Sequence, residues 1–285
     1  MGKKRFLSDK EASLLKREIL DRLDEKPIPK IALGGSRARI GIISDTHIGS
    51  IYDQHRVLAP AYQAFKAAGC ELVLHAGDML DGEGVYLGQE YDLYAHGVQQ
   101  QVEQARSIYP SDVPTLFITG NHDLSFWKRA GVDPGVLIAE DKEYLTYLGK
   151  ESAEIEINGA RIHVIHPSKG TAYALSYHPQ KYVESITPKD KPELVVIGHF
   201  HKAEFLPAYQ DVFVLQAGAI ESQTPFMRRK NLAAHNGFWV VDFATNHGKI
   251  TSMSAEFIRL IEAEGDTMEK KNCYTSPQLE GHNGR

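Results

Sequence analysis

The sequence predicts an α/β protein in which two β-sheets pack face to face, with helices on their outer sides. Short apolar runs of buried-strand length recur along the chain, and in the first half they alternate with longer stretches of helical character. In the second half, strand-like runs follow one another with few helices between them. Alternating β and α elements followed by a run of strands are typical of two packed sheets flanked by helices.

The predicted strands and helices can be read directly from these runs. The first strands are RIGII (39–43), ELVLH (71–75) and TLFIT (115–119). The helices between them are YDQHRVLAPAYQAFKAAG (52–69) and YDLYAHGVQQQVEQARSIY (91–109). The second set of strands is AEIEI, RIHVIH, ELVVIG, DVFVLQAG, GFWVVDF and KITSMSAEFI.

Composition limits the class of protein. A chain of 285 residues with 42% hydrophobic and 24% charged residues is ordinary for a globular protein with a packed core. We expect no membrane span, because no apolar run approaches the ~20 residues of a span. We expect no secretion signal, because the basic N-terminal segment has no apolar h-region and no small-residue cleavage site. Cys70 and Cys273 match no metal or redox spacing, which favours a reduced, cytoplasmic protein. The net charge of −5 argues against binding polyanions by bulk charge, but leaves a nucleic-acid enzyme open.

The sequence predicts that the chain is organised in three parts. Residues 1–37 form an N-terminal helical appendage, because Ser8 and Glu11 make a capping box ahead of apolar residues at helical spacing. Residues 38–262 form the main domain, and the polar residues 263–285 form a disordered tail. Packing is the simplest role for the N-terminal helix, with docking of a protein partner or support of a lid as alternatives.

Five predicted strands end in side chains of the types that bind metal ions. Ligand sites in open α/β sheets gather outside the carboxyl ends of strands, so these clusters can converge on one place. A lone histidine is more often a core or surface residue, but five clusters at five strand ends favour a site. The side chains, in chain order, are Asp45, His47, Asp78, Asp81, Asn121, His122, Asp123, His166, His199 and His201.

The spacing and chemistry of these side chains favour two ions. In extended backbone, residues i and i+2 point the same way, so Asp45 with His47, and His199 with His201, can reach a common centre. Carboxylates, imidazoles and one amide suit Mn²⁺ best, with Fe, Zn, Ni or Mg as alternatives. The set is too large for one tetrahedral ion, and two ions that share a carboxylate fit it better.

The order D-x-H, GD, GNH, H and GHxH resembles the calcineurin-like metallophosphoesterase superfamily over residues 38–245. The resemblance implies a four-layer α-β-β-α sandwich of two packed mixed sheets, with a dinuclear metal site. It implies that one ion is held by Asp45, His47, Asp78 and His201. It implies that the other is held by Asp78, Asn121, His166 and His199, with Phe200 turned away.

The resemblance also implies a reaction. Two cations bind a phosphate and hold a bridging water as hydroxide, which attacks phosphorus in line. His122 stabilises the phosphate or protonates the leaving group, and Asp81 orients His122. For Asp81, an ordinary loop carboxylate is the alternative. Pro167 follows His166 where the family often has glycine, so the loop HPSKGTAY is expected to take a different path.

The substrate class follows from smaller signals. Gly82 and Asp123 stand where phosphoprotein phosphatases carry an arginine and a glutamate, so that class is not expected. The stretches GDMLDGEGVYLGQEYDLY and QAGAIESQTPFMRRKN resemble the exonuclease subunit of archaeal family D DNA polymerases. SDTHIG and GNHD are similar, more weakly, to double-strand-break repair nucleases.

A basic triplet supports a nucleic-acid substrate. Arg228, Arg229 and Lys230 follow Phe226, and cations beside aromatic rings can hold phosphates and stack a base. The tyrosines Tyr86, Tyr91 and Tyr94 can line the same groove. A solvated charged face and ordinary tyrosine packing are the alternatives.

We therefore expect a phosphodiesterase, exonuclease-like, that acts on single-stranded or end-frayed nucleic acid. A small-molecule phosphatase or a cyclic-nucleotide phosphodiesterase using the same metals is the first alternative. A non-catalytic partner subunit stabilised by metal is the second.

Overall fold

The structure, a computed structural model, describes residues 28–168, 170 and 174–260. The predicted N-terminal helix and the predicted tail lie outside these residues, as does Cys273, whereas Cys70 is buried and free. The strands are β1 (Lys30–Ile31), β2 (Arg37–Ile43), β3 (Leu72–His75), β4 (Thr115–Thr119), β5 (Leu145–Lys150), β6 (Ser152–Ile157), β7 (Ala160–Ile165), β8 (Leu194–Ile197), β9 (Ala203–Tyr209), β10 (Val212–Ala217), β11 (Gly237–Asn246) and β12 (Lys249–Arg259).

The α-helices are α1 (Leu58–Ala68), α2 (Gly97–Ile108), α3 (Leu124–Ala130), α4 (Pro134–Ala139), α5 (Tyr177–Ser185) and α6 (Pro225–Arg229). Single-turn 3₁₀ helices cover His55–Val57, Gln89–Tyr91 and Pro188–Asp190. None of these helices is long and apolar enough to cross a membrane.

The strands form two six-stranded mixed sheets. The first sheet has the order β1-β6-β7-β8-β10-β9, and the second has the order β12-β11-β2-β3-β4-β5. Strands β2, β3, β4 and β5 are parallel, and so are β7, β8 and β10. At one end of the second sheet, β11 pairs antiparallel with β2, and β12 pairs antiparallel with β11. The carboxyl ends of β2, β3 and β4 therefore open at one edge of the second sheet.

Three apolar clusters hold the layers together. The central cluster joins the inner faces of the two sheets, with Ile40 and Leu74 from one sheet and Val164 and Val196 from the other. A second cluster packs helices α1 and α2 on the second sheet, and a third packs Val183 of α5 on the first sheet. The molecule is thus the predicted α-β-β-α sandwich, which confirms the fold class.

Close packing in the second sheet depends on a small residue in β2. A Cβ atom on Gly41 would lie 2.6 Å from a ring atom of Phe65, so glycine lets helix α1 approach this strand. At the end of α1, Gly69 adopts a left-handed conformation with φ of 74°, which ends the helix and turns the chain towards β3.

Several boundaries differ from the prediction. The helix predicted from residue 91 begins at Gly97, and the one predicted from residue 52 begins at Leu58, after a single 3₁₀ turn. The segments before them are held by loop contacts, such as the hydrogen bond from Ile51 N to Asp92 O at 2.8 Å. Strand β1 pairs with β6, although it lies within the segment predicted as an appendage.

Candidate metal centre

The predicted strand ends meet at one edge of the sandwich. Backbone hydrogen bonds bring neighbouring loops together, from Asp45 N to Gly77 O at 3.0 Å and from His47 N to Asp78 O at 3.1 Å. In the first sheet, Gly198 N donates to Ile165 O at 3.0 Å. The backbone N–H of His199 donates to both oxygens of the Asp45 carboxylate, each at 3.1 Å, and so links the two sheets at the site.

The backbone at this edge is left-handed at five of the candidate residues. Their φ values are 52° at Asp45, 46° at His47, 52° at Asp78, 78° at His199 and 52° at His201. Non-glycine residues in this region cost about 1–2 kcal/mol each, and such residues cluster at functional sites. The side chains of Asp45 and His47 therefore meet through turns, and not through the extended backbone on which the spacing argument relied.

The first group of candidate ligands is Asp45, His47 and His201. The Nε2 atoms of His47 and His201 lie 3.2 Å apart, and Asp45 Oδ1 lies 3.3 Å from His201 Nε2 and 3.8 Å from His47 Nε2. Two imidazole nitrogens bound to one ion at about 2.0–2.1 Å lie roughly 3–3.4 Å apart. All three side chains are buried, so they can enclose an ion.

The second group is Asp78, His166 and His199. His166 Nε2 lies 2.9 Å from Asp78 Oδ2, and the same carboxylate oxygen lies 3.9 Å from His47 Nε2 in the first group. Asp78 is therefore the side chain that the two groups can share. The ring centroids of His166 and His199 are 5.3 Å apart.

The chemistry of the site fits two divalent cations. The buried Oδ1 atom of Asn121 has no hydrogen-bond partner among the described residues, which is costly without a ligand. His166 Nδ1 donates to Ala76 O at 2.7 Å, so Nε2 is the ring nitrogen that faces the centre. A Cβ atom on Gly120 would lie 2.2 Å from Asp78 Oδ1, so glycine is needed there.

The buried carboxylates and imidazoles of the two groups shift one another's pKa values. Burial raises the pKa of Asp78, but the positive charges of His166 and His122 outweigh it and hold the pKa well below its usual range. Burial lowers the pKa of His166, but the Asp78 carboxylate outweighs it and raises that pKa to about 9. Burial, aided by the charge of His166, lowers the pKa of His199 to about 3. His166 is thus protonated at neutral pH, and it would have to release a proton to bind a cation.

His122 and Asp81 lie beside the two groups. His122 Nδ1 donates to the backbone oxygen of Asp81 at 2.7 Å, and its side chain is 16% exposed. The Asp81 carboxylate lies 3.0 Å from His47 Nδ1 and 3.3 Å from His122 Nδ1. Gln89 holds its other oxygen at 2.9 Å. Asp81 can therefore orient two histidines, one through its carboxylate and the other mainly through its backbone.

Two buried carboxylates near the centre were not assigned roles from the sequence. Asp123 accepts hydrogen bonds from the backbone N–H groups of Met79, Leu80 and Gly120, so it fixes the loops after β3 and β4. Burial and the charge of Asp78 raise its pKa to about 7. Glu221 lies with its Oε2 atom 3.8 Å from His47 Nε2.

The signal for Glu221 was present in the sequence. Strand β10 is parallel to β8, so its carboxyl end opens at the same edge of the sheet, and Glu221 lies in the segment that follows it. The strand-end argument applied to DVFVLQAG would have led to this residue.

The predicted basic triplet lies on the surface. Arg228 and Arg229 belong to α6, Lys230 follows them, and all three are exposed. The ring of Phe226 stacks on the ring of Tyr86 with centroids 4.8 Å apart and planes inclined by 21°. This pair brings segments 82–94 and 222–231 together.

The other predicted groove residues vary in exposure. Tyr91 is 82% exposed, whereas the hydroxyl of Tyr94 donates to Asp53 at 2.8 Å. The ring of Phe200 stacks on the ring of His178 with centroids 4.4 Å apart, on the side of α5. The loop after Pro167 is described only in part.

The family of the chain follows from its fold and from its match to a family model. Residues 39–236 match the calcineurin-like phosphoesterase superfamily domain, which is more than half of the chain, and the chain belongs to this superfamily. The recognition made from the sequence is therefore confirmed.

Particular relatives are more distant. The chain is similar to the DNA polymerase II small subunit of Methanothermobacter thermautotrophicus, with 23% identity over 258 residues, 72% of this chain and 52% of the relative. The corresponding subunit of Archaeoglobus fulgidus is 25% identical over 244 residues, 68% of this chain and 48% of the relative. The chain thus spans about half the length of these relatives.

The chain is also similar to solved structures, at low identity. A phosphatase from Mycoplasma pneumoniae has a TM-score of 0.41 and 14% identity, with 78% of this chain and 94% of that chain covered. Vps29 from Entamoeba histolytica, solved with Zn²⁺, has a TM-score of 0.37 and 14% identity, covering 78% of this chain and 98% of that one.

Proposed function

We propose that this protein is a phosphodiesterase that uses two divalent cations to hydrolyse nucleic acid from an end. One observation carries the proposal: two groups of ligand-type side chains, all buried except the half-buried His199, lie side by side, and Asp78 can serve both. Metal binding and phosphoester chemistry are properties of the superfamily, and the choice of a diester substrate is the inference from this chain.

Each cation has a defined set of side chains in this proposal. Asp45, His47, Asp78 and His201 hold one ion. The other is held by Asp78, Asn121, His166 and His199. When bound, such a pair polarises the phosphoryl group and lowers the pKa of water enough to supply a nucleophile at neutral pH. Mn²⁺ suits the mixed nitrogen and oxygen donors.

His122 is the candidate for a proton donor to the leaving oxygen. Its Nδ1–H group is taken by the Asp81 carbonyl, which leaves Nε2 as the nitrogen available to a substrate. Burial lowers the pKa of His122, but the carboxylates of Asp78 and Asp81 contribute to a net rise. This rise favours the protonated ring, which could deliver its proton where charge develops on the leaving oxygen.

The surroundings of the centre favour a diester over a monoester. A dianionic monoester gains from an extra fixed cation, and Gly82 supplies none. The stacked rings of Tyr86 and Phe226 can pack against a base, and the arginine side chains of α6 beside them can bind backbone phosphates. The names of the archaeal relatives support a role on DNA, and the word subunit in those names supports a protein partner.

A comparison of substrates tests the proposal. Metal-free protein should be inactive, and Mn²⁺ should restore hydrolysis of bis-nitrophenyl phosphate and of single-stranded oligonucleotides. End-labelled oligonucleotides should shorten progressively from one end. A preference for nitrophenyl phosphate, together with inert oligonucleotides, would favour the small-molecule phosphatase. Absence of all hydrolysis with two ions bound would favour a non-catalytic subunit.

A further inference from the structure

Each histidine at the centre needs a partner for the ring nitrogen that does not face a cation. The Nδ1 atom of His47 lies 3.0 Å from Asp81 Oδ1, and the Nδ1 atom of His166 donates to Ala76 O at 2.7 Å. Such partners fix the tautomer and the orientation of the ring, and their loss weakens metal binding about 10–100-fold.

His201 lacks a partner of this kind. Its Nδ1 atom is buried and has no hydrogen-bond partner among the described residues. Its Nε2 atom already faces His47 Nε2 at 3.2 Å, so Nδ1 is the nitrogen left for a supporting contact. Glu221 Oε2 lies 4.0 Å from this Nδ1 atom, and a shift of about 1 Å would bring the pair to hydrogen-bond distance.

Glu221 is held in a way that suits this contact. It is only 3% exposed, and its Oε1 atom accepts a hydrogen bond from the hydroxyl of Ser50 at 3.1 Å. Its Oε2 atom faces His47 and His201, with His47 Nε2 at 3.8 Å. A buried carboxylate costs several kcal/mol unless its oxygens are paired, so the second oxygen needs a donor.

We infer that Glu221 is the positioning residue of His201. Its Oε2 atom accepts the Nδ1–H group of His201 and so directs the lone pair of Nε2 towards the cation shared with Asp45 and His47. The inference rests on the proposed two-cation centre, but it does not depend on the substrate.

Metal binding by three variants tests this role. We expect wild-type protein to bind two Mn²⁺ ions. Glu221→Ala should weaken one of them about 10–100-fold and leave the other unchanged. Glu221→Gln should recover most of the loss, because its amide oxygen still accepts from His201 and its amide NH₂ group can donate to Ser50. Glu90→Ala, which changes an exposed glutamate, is the matched control.

A spectroscopic measurement separates positioning from general stabilisation. In Zn²⁺-loaded protein labelled with ¹⁵N at histidine, a slowly exchanging Nδ1–H signal from His201 should be present in wild type and in Glu221→Gln. The signal should vanish in Glu221→Ala. If Glu221→Ala does not fold, the presence of the signal in wild type and in Glu221→Gln supports the inference, and its absence from both overturns it.

Three results would overturn the inference. Glu221→Ala could bind both ions as tightly as wild type, or Glu221→Gln could lose the ion as fully as Glu221→Ala. The His201 signal could also be absent from both wild type and Glu221→Gln. Failure of wild-type protein to bind two ions would instead count against the proposed function.

Discussion

Asp81 Oδ1 lies 3.0 Å from His47 Nδ1, closer than to the ring nitrogen of His122 at 3.3 Å. This carboxylate was expected to orient His122, but its nearer partner is His47, a histidine of the first ligand group. A change at Asp81 should therefore affect both the cation and the proton donor.

Asp81→Ala tests this shared role. We expect weaker Mn²⁺ binding by about 10–100-fold, because His47 loses the partner that orients it. Turnover at saturating Mn²⁺ should fall as well, because His122 loses part of its support. Calorimetric titration and steady-state kinetics measure the two effects separately. Unchanged Mn²⁺ affinity would contradict the link to His47.

His122→Ala should separate catalysis from metal binding. We expect turnover to fall about 10²–10⁴-fold, the usual contribution of a positioned acid, while both ions stay bound. Asp78→Asn is the contrasting variant and should lose metal, because Asp78 can serve both ions. Elemental analysis measures the bound metal and steady-state kinetics measures turnover. Loss of metal from His122→Ala would show that the role assigned to His122 is wrong.

Metal binding should weaken as the pH falls. The pKa of His166 is raised to about 9 without a cation, so this imidazole is protonated below that pH and must release its proton to bind one. Lowering the pH from 8 to 6 should reduce the apparent affinity for the ion assigned to the group that contains His166, by about tenfold per pH unit for each proton released. Titrations in buffers of different ionisation enthalpy would count the protons, and a pH-independent affinity would refute the expectation.

Arg229→Ala tests whether the basic residues of α6 contact nucleic acid. We expect slower oligonucleotide hydrolysis with a smaller dependence on salt, because one phosphate contact is lost. Hydrolysis of bis-nitrophenyl phosphate should barely change, since that small diester does not reach α6. Lys189→Ala, on the short 3₁₀ helix Pro188–Asp190, is a control of similar charge. Equal losses on both substrates would argue against a nucleic-acid contact.

Much of the fold could be predicted because its central strands are continuous apolar runs. TLFIT corresponds residue for residue to β4, and all five of its residues are buried. Strand β5 was missed because LTYLGK is only partly buried, so it carries no strong apolar signal. Strand β9 was missed because AEFLPAY contains Pro207 and lies at the edge of its sheet.

The candidate site was predictable to the extent that strand ends dictate it. Asp45 and Asp78 come together because the parallel strands β2 and β3 end at one edge of the second sheet, and His166 joins them from the end of β7 in the first sheet. The contact between Asp81 and His47 could not be predicted from sequence spacing, because it depends on ring orientations that distant loops set. The left-handed backbone at His199 and His201 was equally hidden, since L-residues rarely adopt it and tertiary contacts impose it.

Each ligand group takes members from both sheets, since Asp45, His47 and Asp78 follow strands of the second sheet and His166, His199 and His201 follow strands of the first. A cation bound by either group would therefore link the two sheets of the sandwich. Opening the sandwich at this edge would require release of the ions, so metal loading should slow amide exchange in β3 and β8 together. The centre would then set the mechanical stiffness of the fold as well as its chemistry.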